Sequence, residues 1–84
     1  SLQQNFPNPF NPATVINYST ALEGMVTITV YDILGKKVAT LVNEAQKAGN
    51  HQISFKPVDL TSGIYFYEMV TPGFTKKLKM LYLK

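Results

Sequence analysis

Apolar and polar residues alternate with a period of two along most of this chain. The alternation covers five stretches, at Thr14–Ser19, Met25–Tyr31, Gln52–Phe55, Ile64–Met69 and Lys77–Tyr82. Successive side chains of a β-strand point to opposite faces, so each stretch predicts a strand with one buried face. A sixth run, Lys37–Val42, is apolar on both parities, and we predict a strand there as well.

Turn-forming residues separate these runs. Asp32 and Gly35 occupy the first and fourth positions of a predicted type I turn, and Pro72 and Gly73 occupy the centre of a predicted type II turn. Regularly spaced short strands with such turns predict an all-β fold, namely an immunoglobulin-like or fibronectin III-like antiparallel sandwich of about seven strands. A short helical turn is expected only at residues 43–48.

The first twelve residues, here called the lead-in, differ from the rest. They contain Pro7, Pro9 and Pro12, and each proline restrains its own backbone and favours an extended conformation in the residue before it. We therefore predict an extended lead-in, with Phe6 and Phe10 available for packing, followed by the sandwich at residues 13–84. The lead-in is either a stiff linker or an ordered first edge strand.

Length and charge narrow the classes of function. The 84 residues are enough for one domain, and eight lysines without any arginine give a net charge of +3. Arginine is the usual residue for bidentate contacts to bases and phosphates, so its absence counts against nucleic-acid binding. No apolar run approaches the roughly 20 residues that span a bilayer.

The sequence offers little for catalysis. It contains one histidine, no cysteine and five acidic residues that are scattered along the chain. A metal site would need carboxylates for most of its ligands, and no phosphate-binding loop or nucleophile motif is present. We therefore predict a protein that is not an enzyme, with no catalytic residue, cofactor or metal.

Two segments near the C-terminal end have both a structural and a functional interpretation. Gly63 and Tyr65 fit a tyrosine corner, in which the hydroxyl bonds back to nearby backbone, and the same corner could present a surface to a partner. Lysines of the last strand keep a sheet edge soluble, or they form an epitope. A strand at the end of a chain is also open to capture by β-augmentation.

Three segments, taken in order, carry a family resemblance. They are residues 5–18 (NFPNPFNP, then TVINY), residues 30–38 (VYDILGKKV), and residues 60–67 (LTSGIYFY) with the lysine-rich strand that ends at Lys84. Together they resemble the type A C-terminal sorting domain of the type IX secretion system. The chain is also similar to the immunoglobulin-like domain of flagellar hook-capping proteins.

The first resemblance implies an address function. Such a domain is fused behind a cargo protein, passes through the periplasm, directs the cargo to an outer-membrane translocon, and is commonly removed by a surface peptidase. The cargo then lies on the outer-membrane surface or outside the cell. The resemblance assigns translocon recognition to Gly63, Tyr65, Lys77, Lys79, Met80 and Lys84. It implies neither nucleic-acid binding nor membrane insertion.

Two other functions remain open from the sequence. One is an accessory immunoglobulin-like spacer or carbohydrate-binding module of a secreted hydrolase, supported by the aromatic residues Tyr31, Tyr65, Phe66, Tyr67, Phe74 and Tyr82. The other is assembly of a hook-like filament, which the hook-capping resemblance suggests.

Overall fold

The structure is a computed structural model that describes all residues from Ser1 to Lys84. It contains six strands and no helix, so no helix is present that could cross a membrane. The strands are β1 (Thr14–Thr20), β2 (Gly24–Tyr31), β3 (Lys37–Gln46), β4 (Gly49–Phe55), β5 (Gly63–Thr71) and β6 (Phe74–Tyr82). The predicted all-β class is confirmed, with six strands where about seven were predicted.

The strands form two sheets in which every pairing is antiparallel. One sheet has the order β1-β4 and the other the order β3-β2-β5-β6. Both contribute to a single cluster of 14 buried apolar residues. Its members include the inward positions of the period-two pattern: Ile16, Tyr18, Val26, Ile28, Val30, Phe55, Tyr65, Tyr67, Met69, Met80 and Tyr82. Burying each large apolar side chain contributes about 1.5–3 kcal/mol, so this shared core is the main source of stability.

The pairing of strand β3 with β2 explains why the β3 sequence is apolar at both odd and even positions. Its pairing with β2 shifts register twice, and the shifts pass over Leu41 and Val38. A β-bulge inserts an extra residue and so changes which parity faces the core. Consequently Val38, Ala39 and Leu41 pack against the core, in which Val42 is buried.

The helical turn predicted at residues 43–48 is wrong. Strand β3 continues through Gln46, and Gln46 pairs with Gly24 at the start of β2. A six-residue helix is marginal in isolation because nucleation is costly, whereas the neighbouring strand offers this segment a complete set of backbone partners. Tertiary pairing therefore overrides the local preference.

The lead-in contacts both sheets. Its first half lies beside β1, where Phe6 and Val15 exchange two backbone hydrogen bonds of 2.9 and 3.0 Å. Its second half reaches β6, where Phe10 forms a parallel bridge with Tyr82. Leu2 and Phe10 are buried in the shared core, but Phe6 remains 77% exposed.

Candidate functional site

The β2–β3 turn presents apolar side chains at one end of the molecule. Asp32 shapes this turn, since one of its carboxylate oxygens accepts hydrogen bonds from the backbone N–H groups of Leu34 and Lys36, both at 2.9 Å. Gly35 follows with a φ of 84°, which is easily adopted only by glycine. The tip residues Ile33 and Leu34 are 68% and 89% exposed.

The tyrosine corner lies beside this turn. The Tyr65 hydroxyl donates a 2.7 Å hydrogen bond to the backbone oxygen of Thr61, and the Tyr65 ring is only 6% exposed. The predicted corner is therefore present, and it fixes the loop of residues 60–63 against the core. Gly63 opens β5 with a φ of 151°, in a region that side chains rarely adopt.

An open groove of about 420 Å³ lies between the turn and the corner. Ile33, Leu34 and Val38 line one side, and Leu60 and Ile64 line the other. The backbone N–H of Lys84 donates a 2.7 Å hydrogen bond to the hydroxyl of Ser62. Lys84, two residues beyond β6, therefore lies beside the same groove. We call the surface formed by residues 32–36, 60–64 and 83–84 the turn–corner surface.

Strand β6 adjoins the turn–corner surface and carries the lysines. Lys77 and Lys79 are exposed on the outer face of the four-stranded sheet, opposite Glu68 and Phe66 of β5. The Lys77 ammonium nitrogen lies 5.4 Å from the centroid of the Tyr31 ring, across β5 on strand β2. This geometry is a cation–π contact, so the Lys77 side chain leans over the sheet face.

The residues predicted for recognition thus occupy three kinds of environment. Lys77, Lys79 and Lys84 are exposed. Tyr65 and Gly63 shape the corner. Met80 has no exposed surface and lies in the core, so in the folded domain it supports β6 from beneath.

The sequence did not single out the polar residues that join the lead-in to β6. The Gln4 side-chain amide donates a 2.7 Å hydrogen bond to the backbone oxygen of Lys79, and the Asn8 side-chain oxygen accepts a 2.9 Å bond from the N–H of Leu81. Phe10 adds two backbone bonds, to the oxygen of Leu81 and from the N–H of Leu83. Polar residues in a proline-rich segment give no periodic signal. Asn8 lies within the first segment that carries the resemblance, whereas Gln4 precedes it.

A buried polar network also holds the lead-in. The Tyr67 hydroxyl accepts a 2.8 Å hydrogen bond from the N–H of Asn5 and donates a 2.7 Å bond to the backbone oxygen of Gln3. Burial raises the pKa of Tyr67 to about 12, and the hydrogen bond from Asn5 lowers it only in part. The Asn5 side-chain amide donates to the hydroxyl of Thr14 at 3.0 Å. Strand β5 is thereby tied to the lead-in.

No group of three or more histidine, cysteine or acidic residues could hold a metal ion. Of the six aromatic residues considered for sugar binding, Tyr65, Tyr67 and Tyr82 are buried in the core. Tyr31 and Phe66 are half-buried, and Phe74 is 37% exposed.

The chain matches a protein family, described as the secretion system C-terminal sorting domain, over residues 4–82. It belongs to that family. The sorting domain is a C-terminal signal for type IX secretion, which implies a cargo protein, the type IX machinery, and export to the cell surface or extracellular space. Comparison with curated proteins and with solved structures gave no significant match.

The segment that matches the family includes most of the contacts between the lead-in and β6. It begins at Gln4 and ends at Tyr82, so it contains every residue of the junction between the lead-in and β6 except Leu83. The family is one of sorting signals, which supports the address function over the spacer or sugar-binding alternative.

Proposed function

We propose that this sorting domain is recognised in the periplasm, as a folded immunoglobulin-like sandwich, by the outer-membrane translocon of the type IX system. Two sheets on one core and a tyrosine corner support the immunoglobulin-like architecture. In this proposal the domain is not catalytic. Its partners are the cargo fused upstream, the translocon, and the surface peptidase that removes the domain, with no nucleic acid and no membrane insertion.

One observation carries the proposal: two of the three sequence segments that resemble the family meet at the turn–corner surface. The segment of residues 30–38 supplies the turn, and the segment of residues 60–67 supplies the corner. The lead-in reaches Leu81 and Leu83 of the adjoining strand through Phe10. Segments that are distant in sequence thereby form one continuous surface with β6, as a docking site for a protein partner requires.

Each predicted recognition residue has a physical role in this proposal. Lys77, Lys79 and Lys84 offer cationic groups to an acidic surface of the translocon. Gly63 and Tyr65 hold the corner in shape, and Met80 anchors β6 so that its lysines keep their position. The lead-in, residues 1–12, belongs to the same folded unit as the sandwich and is exported with it.

Export of an inert reporter tests these roles. We expect the doubly substituted Lys77→Gln/Lys79→Gln domain to reduce reporter export by roughly fivefold or more, since loss of one or two kcal/mol of binding changes an equilibrium by that amount. Lys56→Gln is the matched control, because Lys56 is an exposed lysine outside β6. Equal export of all three forms would remove the β6 lysines from the recognition site. Failure of the unsubstituted domain to export the reporter would contradict the sorting function itself.

A further inference from the structure

The outward side of β6 is covered over only part of its length. This strand is the last in its sheet, so backbone groups that do not face β5 point away from the sheet. The lead-in binds the oxygen of Lys79, both backbone groups of Leu81 and the N–H of Leu83. Backbone groups alternate in direction along a strand, so those of Thr75 and Lys77 point outward in the same way.

The remaining outward groups form a row without a partner. They are the N–H and C=O of Thr75, the N–H and C=O of Lys77, and the N–H of Lys79, and no backbone hydrogen bond beyond the named strands reaches them. Residues Phe74–Lys77 are all exposed. Such a row is the template on which an extended segment adds as a further strand. We call it the free edge.

Lysines on an edge strand ordinarily oppose such pairing. Here the Lys77 side chain is directed away from the edge, because its ammonium group lies over the ring of Tyr31, two strands into the sheet. Its charge therefore sits above the sheet face while its backbone remains accessible from the side. The free edge is open at its centre.

Charge indicates what kind of segment fits. The β5–β6 hairpin contains three lysines (Lys76, Lys77 and Lys79) and a single acidic residue, Glu68. A second copy of β6 would bring lysines against lysines and is disfavoured. An extended segment with acidic side chains at alternate positions would place them on the outer face, next to Lys79 and to the backbone position of Lys77.

We propose that the free edge binds an extended acidic segment of a partner protein as an added strand alongside Thr75–Lys79. Gln4 occupies the backbone oxygen of Lys79, so the added strand ends at this residue. This end point sets the register of the added strand. The identity of the partner as a component of the export machinery rests on the proposed function. The strand addition itself does not.

Peptide binding tests the strand addition directly. The probe is a capped eight-residue peptide that alternates Glu with Thr or Val, and its counterpart with Lys in place of Glu is the charge control. We expect the acidic peptide to bind the whole domain and to slow hydrogen exchange at the amides of Thr75, Lys77 and Lys79. Absence of binding, equal binding of the Lys peptide, or protection confined to other residues would overturn the proposal.

A proline substitution separates the edge from its charge. Thr75→Pro removes an outward N–H that serves no sheet pairing, so proline is tolerated there, and every lysine is kept. We expect affinity for the acidic peptide to fall about tenfold or more, while Thr75→Val stays within about twofold. Equal affinities of the two variants would overturn the proposal. So would self-association of the unsubstituted domain that Thr75→Pro abolishes, since the occupant would then be a second copy.

Reporter export shows whether strand addition is the way in which the sorting signal is recognised. If Thr75→Pro binds the peptide weakly and is exported poorly while Thr75→Val is exported normally, strand addition operates in sorting. Normal export of Thr75→Pro would overturn the assignment of the partner to the export machinery and leave the sorting function intact. Failure of export with the unsubstituted domain would instead count against the proposed function.

Discussion

Tyr67 connects the lead-in to the core through its hydroxyl. The ring has no exposed surface, and the hydroxyl satisfies both the N–H of Asn5 and the oxygen of Gln3. A buried amide without a partner costs roughly 1–3 kcal/mol, so this one side chain stabilises a long-range junction as well as the core.

Tyr67→Phe tests that role. We expect the free energy of unfolding to fall by about 1–3 kcal/mol, because the ring is kept while the N–H of Asn5 loses its acceptor. Urea unfolding of the variant measures the loss. Tyr31→Phe is the control, since Tyr31 is only half-buried and no hydrogen bond of its hydroxyl is present, and we expect a change within about 0.5 kcal/mol. A Tyr67→Phe loss as small as that of the control would contradict the account.

The raised pKa of Tyr67 predicts a pH dependence of stability. The folded value is about 12, above the ordinary value of about 10, so the folded state holds the proton more tightly than the unfolded chain. This contribution to stability is fully present below pH 10 and is lost as the pH rises towards 12. We therefore expect wild type to lose more stability than Tyr67→Phe between pH 10 and pH 12. Parallel unfolding curves across that range would show that the hydroxyl is not protected.

Residue type and position in the pattern were enough to predict some roles but not others. The tyrosine corner followed from Gly63 and Tyr65, because that turn has a recognisable local sequence. The resemblance assigned Met80 to recognition, whereas its alternation with the lysines is in keeping with the burial that the structure shows. The bonds of Gln4 and Asn8 to β6 join residues more than 70 positions apart, and no local pattern encodes such a contact.

At the scale of elements, periodicity predicts strands well where one face is buried. In strand β3 two register shifts change which parity faces the core, so the sequence alone shows apolar residues on both faces. The passage of the lead-in from β1 to β6 was beyond prediction for a different reason. An extended proline-rich segment has the same sequence character whether it is a linker or part of a sheet.

The two phenylalanines of the lead-in provide a matched test of this element. Phe10 is 2% exposed and packs against Phe55 and Tyr82, with ring centroids 6.2 and 5.1 Å away, whereas Phe6 is 77% exposed. We expect Phe10→Ala to lower the free energy of unfolding by about 3–5 kcal/mol. Phe6→Ala is expected to change it by less than about 0.5 kcal/mol. Equal, small effects in urea unfolding would mean that the lead-in is a linker and not part of the folded unit.

At the scale of the whole molecule, the fold places its stabilising and its exposed features on different sides. The inner faces of the two sheets are occupied by the core, and the lead-in covers the end of β6. The turn–corner surface, the outer-face lysines and the free edge remain accessible. A sorting signal requires this arrangement, because it must stay folded while its surface is recognised.

We expect this domain by itself to direct a protein through type IX secretion. The most direct measurement is the fraction of an inert periplasmic reporter, fused upstream of the intact domain, that appears outside a type IX-competent cell and outside an isogenic cell without the translocon. We predict external reporter in the competent strain only. Reporter retained in the periplasm of both strains, or released equally by both, would contradict the claim.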